Sequence, residues 1–201
     1  MIVRLVSFSE SKVTVQVQGV PTFIRFSLDD SSQYKFSRRN IGSFLAIISF
    51  PFAARKSLDL EVPFGIPAEL KLNLELLSLF WHQNRPKIFK KPIRISSSEE
   101  FSQELLPRQG SIVAFSGGVD STYGLSSFID STKLAEKYYP KAAIMINGFG
   151  FELDEQQLFS RQYKLNEHYC GKNNIELISV KTNWKEVAPA YQIFTFLVLL
   201  G

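Results

Sequence analysis

The stretch Ser111-Ile-Val-Ala-Phe-Ser-Gly-Gly-Val-Asp-Ser-Thr-Tyr123 decides how the rest of the chain is read. Ser111 to Phe115 is a short β-branched and apolar run between turn residues, and from Ser121 the pattern becomes helical. Ser116 to Asp120 is therefore the corner between a buried strand and a helix. Such a corner suits an anion. Gly117 and Gly118 carry no Cβ and tolerate positive φ, so successive backbone N–H groups can converge, and the following helix adds unpaired N-terminal donors and the positive end of its dipole. Ser116, Ser121 and Thr122 add hydroxyls. The candidate cradle is thus Ser116, Gly117, Gly118, Val119, Asp120, Ser121 and Thr122. Asp120 fits an anion site once a cation joins it, because a carboxylate beside polyphosphate is an expected ligand for Mg²⁺. The alternative is a Gly-rich turn capped by Asp120 or Ser121 that binds nothing. Other phosphate motifs fail: no Lys follows the glycines, and Gly148-Phe-Gly150 lacks the third glycine of a dinucleotide fingerprint.

Ser116-Gly-Gly-Val-Asp-Ser121, after an apolar strand and before a helix, resembles the signature of the PP-loop ATP pyrophosphatases, matching it at every position. That superfamily includes asparagine synthetase, GMP synthetase, NAD synthetase, 7-cyano-7-deazaguanine synthase and several tRNA-modifying enzymes. The resemblance implies a parallel sheet of the adenine nucleotide alpha hydrolase type, with the β- and γ-phosphates of ATP in the Ser116 to Ser121 cradle. It implies Asp120 as the catalytic, Mg²⁺-holding carboxylate, and adenylation of a carboxylate or amide substrate with release of pyrophosphate, a ligase chemistry. It further implies that Asn147 and Gly148 hold adenine or ribose, partly through backbone groups. The residues themselves read equally as a βα turn that needs Asn and Gly for its geometry.

The resemblance covers residues 111 to 201, roughly the first half of such a domain, with three of its five core strands. Substrate or metal residues of the second half, including the zinc-binding cysteines of 7-cyano-7-deazaguanine synthase, have no counterpart here. Position 2 is Ile, where a fused glutaminase would carry a nucleophilic cysteine, and Cys170 stands alone, where RNA thiolation enzymes use cysteine pairs. The chain is most similar to 7-cyano-7-deazaguanine synthase-like proteins with an additional N-terminal domain. Ile146-Asn-Gly-Phe-Gly-Phe-Glu-Leu-Asp-Glu155 and Val180-Lys-Thr-Asn183 resemble that group.

Composition sets outer bounds. The 201 residues allow one large domain or two small ones, and a net charge of +4 suits a nucleotide ligand without arguing for nucleic acid. A single cysteine excludes an internal disulfide and a cysteine-built zinc site, and fits a reducing compartment. The N-terminus has Arg4 inside its apolar run and no cleavage pattern, and neither residues 41 to 54 nor 193 to 200 reach membrane-span length. The expectation is a cytoplasmic protein with no membrane partner.

In chain order, residues 1 to 28 predict three strands in an antiparallel meander, with Val13, Val15 and Val17 alternating against Thr14, Gln16 and Gln18. Asn40 is a candidate N-cap for a helix over 41 to 54 that Pro51 should kink or end. A strand over 58 to 62 precedes a helix started by Pro67, with Leu70, Leu74, Leu77 and Phe80 or Trp81 as its buried stripe. Residues 87 to 95 predict a basic strand. Its cations Lys87, Lys90, Lys91 and Arg94, with Lys35, Arg38 and Arg39, read as a solvated, charge-protected edge in preference to an RNA surface, since no RNA-binding module accompanies them.

Residues 1 to 95 are thus expected to form a small α+β domain, residues 96 to 110 a linker, and residues 111 to 201 an incomplete ATP-binding domain. Ser97 and Glu100 predict a capping box for a helix to Leu106, and residues 107 to 110 a turn. Beyond the corner come a helix carrying Leu125, Phe128, Ile129, Thr132 and Ala135, a buried strand over 142 to 146, a helix capped by Asp154 with Gln157 and ending near Gly171, and a strand over 175 to 180. This rhythm predicts a parallel sheet with ligands beyond its carboxyl strand ends. Thr182 and Asn183 read as a turn, His82 and His168 as packing or surface residues, and Cys170 as structural. Residues 189 to 201, which include the apolar run over 193 to 200, are expected to be covered by a further C-terminal segment or a second chain. A nucleotide-binding module without turnover and a tRNA-modifying enzyme are the rival functions.

Overall fold

The computed structural model of the chain describes residues 1–29, 32–102, 110–130 and 138–187. They form a mixed α/β structure in two compact units, one from residues 1–25 and 36–102, the other from 26–29, 32–35, 110–130 and 138–185. The expected helical positions Thr132 and Ala135, residues 103 to 106 of the helix expected to reach Leu106, most of the turn over 107 to 110 and the run over 193 to 200 lie outside the described residues.

In the first unit the valine alternation forms the antiparallel pair β1 (Val3–Phe8) and β2 (Lys12–Val17), in register Val3↔Val17 and Phe8↔Val13 with a bulge between Leu5 and Ser7. Val13, Val15 and Val17 are fully buried. Helix α1 (Ile41–Lys56) begins without a side-chain cap from Asn40 and ends where Ser57 turns left-handed at φ 53°. Pro51 does not end it. An interior proline costs about 3 kcal/mol through its lost hydrogen bond and ring clash, whereas burying each of Phe50 and Phe52 returns about 1.5–3 kcal/mol, and both are buried.

Strand β3 (Ile24–Leu28) follows the pair, and β4 (Leu60–Val62), β5 (Ile66–Pro67) and helix α2 (Ala68–Asn84) follow α1. Pro67 is the residue that caps α2, but the buried stripe is Leu74, Ser78 and Trp81, and Phe80 is exposed. Trp81 lies between Phe50 and Phe89, at centroid distances of 5.2 and 4.9 Å.

Two local expectations are corrected here. Residues 87 to 94 form no strand: the amides of Ile88 and Phe89 turn back to Arg85 O, Lys90 N donates to Ser57 Oγ at 2.9 Å and Arg94 N to Asp59 Oδ1 at 3.1 Å. Ile95 is held likewise by Glu75 Oε1 at 2.8 Å. Ser97 and Glu100 build no capping box. They belong instead to β6 (Ile95–Ser97), parallel to β4, and β7 (Glu100–Phe101), parallel to β5.

The second unit alternates β8 (Ser111–Ala114), α3 (Val119–Ile129), β9 (Pro140–Asn147), α4 (Gln156–Lys172) and β10 (Glu176–Thr182). Strands β8, β9 and β10 are parallel, with Ala114↔Ile144 and Ile144↔Ile178 in register. The sheet is nevertheless mixed, because Phe26 to Leu28 of β3 pair antiparallel with β10. Leu125 of α3 and Phe159 and Cys170 of α4 join Phe115, Ala143, Met145 and Leu177 in one core cluster, so both helices cover the same sheet face. Phe128 is exposed, unlike the expectation from spacing. The cap of α4 is Glu155 with no side-chain hydrogen bond to the helix, in place of Asp154, and Glu155 accepts from Glu152 N at 2.8 Å. A single turn, α5 (Trp184–Val187), follows β10.

Candidate functional site

The corner after β8 is anchored before it turns. Phe115 N donates to Ile144 O at 2.9 Å, and the Phe115 ring is buried and stacked on Tyr169 at 5.7 Å. The chain then bends through Gly117 at φ +78° and enters α3 from Gly118, its N-cap, in an extended conformation. Ser116 Oγ accepts the Gly118 N–H at 3.3 Å and lies 3.1 Å from Ser121 Oγ, and Ser121 Oγ donates to Gly118 O at 3.0 Å. The two serines thus brace the loop.

Within α3 the first carbonyl, Gly118 O, is taken by Thr122 N at 2.9 Å, leaving the amides of Val119, Asp120 and Ser121 with no helical acceptor. Gly118 has no side chain to cap them. Three N–H groups and the dipole's positive end therefore meet at an open helix terminus, where Ser116, Gly118, Val119 and Asp120 are exposed. The Asp120 carboxylate lies in this first turn. A ligand with both phosphate oxygens and a divalent cation suits the donor set. Among the described residues no cluster of three or more His, Cys, Asp or Glu could hold a metal by itself, so an ion here would need phosphate oxygens to complete its shell.

Asn147 and Gly148 end the neighbouring strand β9. Asn147 is 3% exposed, and its Oδ1, itself shielded from solvent, finds no hydrogen-bond partner among the described residues, a deficit worth about 1–3 kcal/mol. Gly148 is fixed by packing. Its φ is +103°, and a Cβ there would lie 1.8 Å from Thr182 O. Thr182 and Asn183 are buried, with Thr182 Oγ1 accepting Trp184 N at 3.2 Å in a side-chain-closed turn.

His82 Nδ1 lies 2.8 Å from Phe89 O, a packing role. Cys170 is fully buried and its thiol is pushed up to about 11 by desolvation, which removes it as a nucleophile at neutral pH. The cations Lys87, Lys90, Lys91 and Arg94 are exposed, Lys91 with Asp59 at 3.5 Å.

Two residues at the corner escape sequence reading. Gln162 and Asn166 of α4 lie against Gly117, where an added Cβ would fall 2.3 Å from Gln162 Nε2 and 2.2 Å from Asn166 Oδ1. Gln162 Nε2 donates to Asn166 Oδ1 at 2.9 Å, and Asn166 Nδ2 lies 3.4 Å from Met145 Sδ. The available signal was a polar Asn166 inside the Phe159, Tyr163, Cys170 stripe.

No protein-family model, no curated protein and no solved structure matches the chain. Among the described residues no helix is long and apolar enough to cross a membrane.

Proposed function

We propose that the chain binds ATP through a PP-loop and adenylates a carboxylate or amide substrate with release of pyrophosphate, in the manner of 7-cyano-7-deazaguanine synthase-like enzymes. The observation that carries this reading is the corner itself: positive φ at Gly117, an uncapped α3 N-terminus and the exposed Asp120 carboxylate at the carboxyl end of a parallel strand. The substrate oxygen attacks the α-phosphorus, the bond to the β-phosphate oxygen breaks, and pyrophosphate departs into the cradle. The adenylate then meets a nitrogen nucleophile. This chemistry asks the protein for positioning and charge neutralisation, so a side-chain nucleophile is unnecessary. The amides of Val119, Asp120 and Ser121 stabilise charge developing on the leaving group, and Asp120 is the residue placed to hold Mg²⁺, which would neutralise the phosphates. Asn147 and Gly148, at the end of β9, border the base or ribose through their backbone groups.

Asp120 is exposed, so Asp120→Ala removes a carboxylate without opening a cavity. The expected result is loss of Mg²⁺-dependent ATP binding in a calorimetric titration with the fold intact by circular dichroism. Unchanged affinity would remove Asp120 from its role.

A second reading, a nucleotide-binding module without turnover, is favoured by the outer face of β8, where Ile112 is 55% exposed and Ala114 is exposed. ATP binding with no pyrophosphate release under any acid substrate selects the module; release selects the enzyme.

A further inference from the structure

We infer that Gln162 and Asn166 are positioning residues that hold the Gly117 loop in its anion-binding conformation. This rests on the PP-loop reading above and adds to it the part of the fold that fixes the loop from behind.

Asn166 occupies a place where an apolar side chain would do better for stability. It is 3% exposed, it continues the stripe of Phe159, Tyr163 and Cys170, and its Nδ2 has a thioether, a weak acceptor, at 3.4 Å. Its Oδ1 is engaged by Gln162 one helical turn earlier, which fixes the orientation of both amides. The pair lies directly against Gly117, close enough to exclude any Cβ. Glycine reaches φ +78° without steric cost but is equally free to leave it, and the two amides packed against Gly117 on the α4 side restrict that freedom. Their neutrality also matters: a carboxylate of the same shape would repel the phosphates that the loop is built to receive.

The test titrates the unaltered chain, Asn166→Asp and Gln162→Glu with inorganic pyrophosphate and Mg²⁺ by calorimetry at pH 8. Both variants preserve side-chain size and place negative charge behind the loop. Each should bind about tenfold more weakly or worse, and the deficit relative to the unaltered chain should shrink as pH falls through the carboxylate range. Gln162→Leu, which adds no charge but releases the Asn166 amide, should weaken binding as well while melting like the unaltered chain without ligand; weakening confined to the two charged variants would be repulsion and would overturn the positioning role. Gln162 is half-buried, so Gln162→Glu decides the matter where Asn166→Asp fails to fold. Binding by the unaltered chain with Gln162→Glu within twofold of it at pH 8 overturns the positioning role. No binding by the unaltered chain overturns the PP-loop reading itself, and the inference with it.

Discussion

Gly117 and Gly118 are adjacent in sequence and answer to different constraints. Gly117 sits at φ +78° with its missing Cβ facing the Gln162 and Asn166 amides, whereas Gly118 has an extended backbone and meets nothing closer than Ser116 Oγ at 3.4 Å, an ordinary contact. Gly117→Ala should therefore lower stability by about 2 kcal/mol or more and abolish pyrophosphate binding, while Gly118→Ala should leave the melting temperature nearly unchanged. Thermal denaturation of the two variants side by side checks this, and equal losses would mean that the loop tolerates no side chain at either position. The glycine pair was legible in the sequence as a corner; which glycine is obligatory was not, since that depends on a helix 45 residues further on, counted from Gly117 to Gln162. Gly148 shows the same dependence. Its neighbour is the Thr182 carbonyl, delivered by the next strand.

The elements that were legible are those whose burial follows a simple period, such as β2 and the parallel strands β9 and β10. Periodicity failed where side chains replaced backbone partners, as with Ser57, Asp59 and Glu75 along residues 90 to 95, or where packing outweighed local propensity, as at Pro51. Helix α4 carries a testable consequence of its buried stripe. Burial raises the Cys170 thiol from its ordinary 9.0 to about 11, and burial, together with the charges of Glu167, Asp29 and Glu176, raises the Tyr163 hydroxyl, which donates to Leu177 O at 2.9 Å. Between pH 9 and 11 the unfolded chain has released the thiol proton that the folded chain keeps. Stability present below pH 9 is therefore lost as pH rises toward 11, and Tyr163 acts in the same direction. Urea unfolding across this window should show that decline, and Cys170→Ala should make it shallower at a cost of about 1 kcal/mol at neutral pH. An identical slope in the variant would mean that the thiol titrates alike in both states.

For the molecule as a whole, the strand and helix alternation announced the parallel part of the second unit, but nothing local announced that Phe26 to Leu28 would join it across more than 150 residues of chain, from Leu28 to Val180. Strand β3 does neighbour β2, as the meander reading expects, and pairing with so distant a second strand leaves no further mark on the segment. The proposed site has a consequence at this scale too. A ligand that binds only the folded chain stabilises it by RT ln(1 + [L]/Kd), about 2.7 kcal/mol at a hundredfold excess over Kd. The corner after β8 belongs to the same core as α4, β9 and β10 through Phe115, so occupancy of the loop should be felt as cooperative protection of that unit. Magnesium with ATP or pyrophosphate should raise the melting temperature in proportion to the logarithm of ligand concentration. Magnesium alone should not, because Asp120 needs phosphate oxygens beside it to complete an ion's shell. Gly117→Ala should remove the dependence on ligand even after its own lower melting temperature is taken as the baseline, whereas a shift that survives that substitution would place the nucleotide elsewhere on the chain.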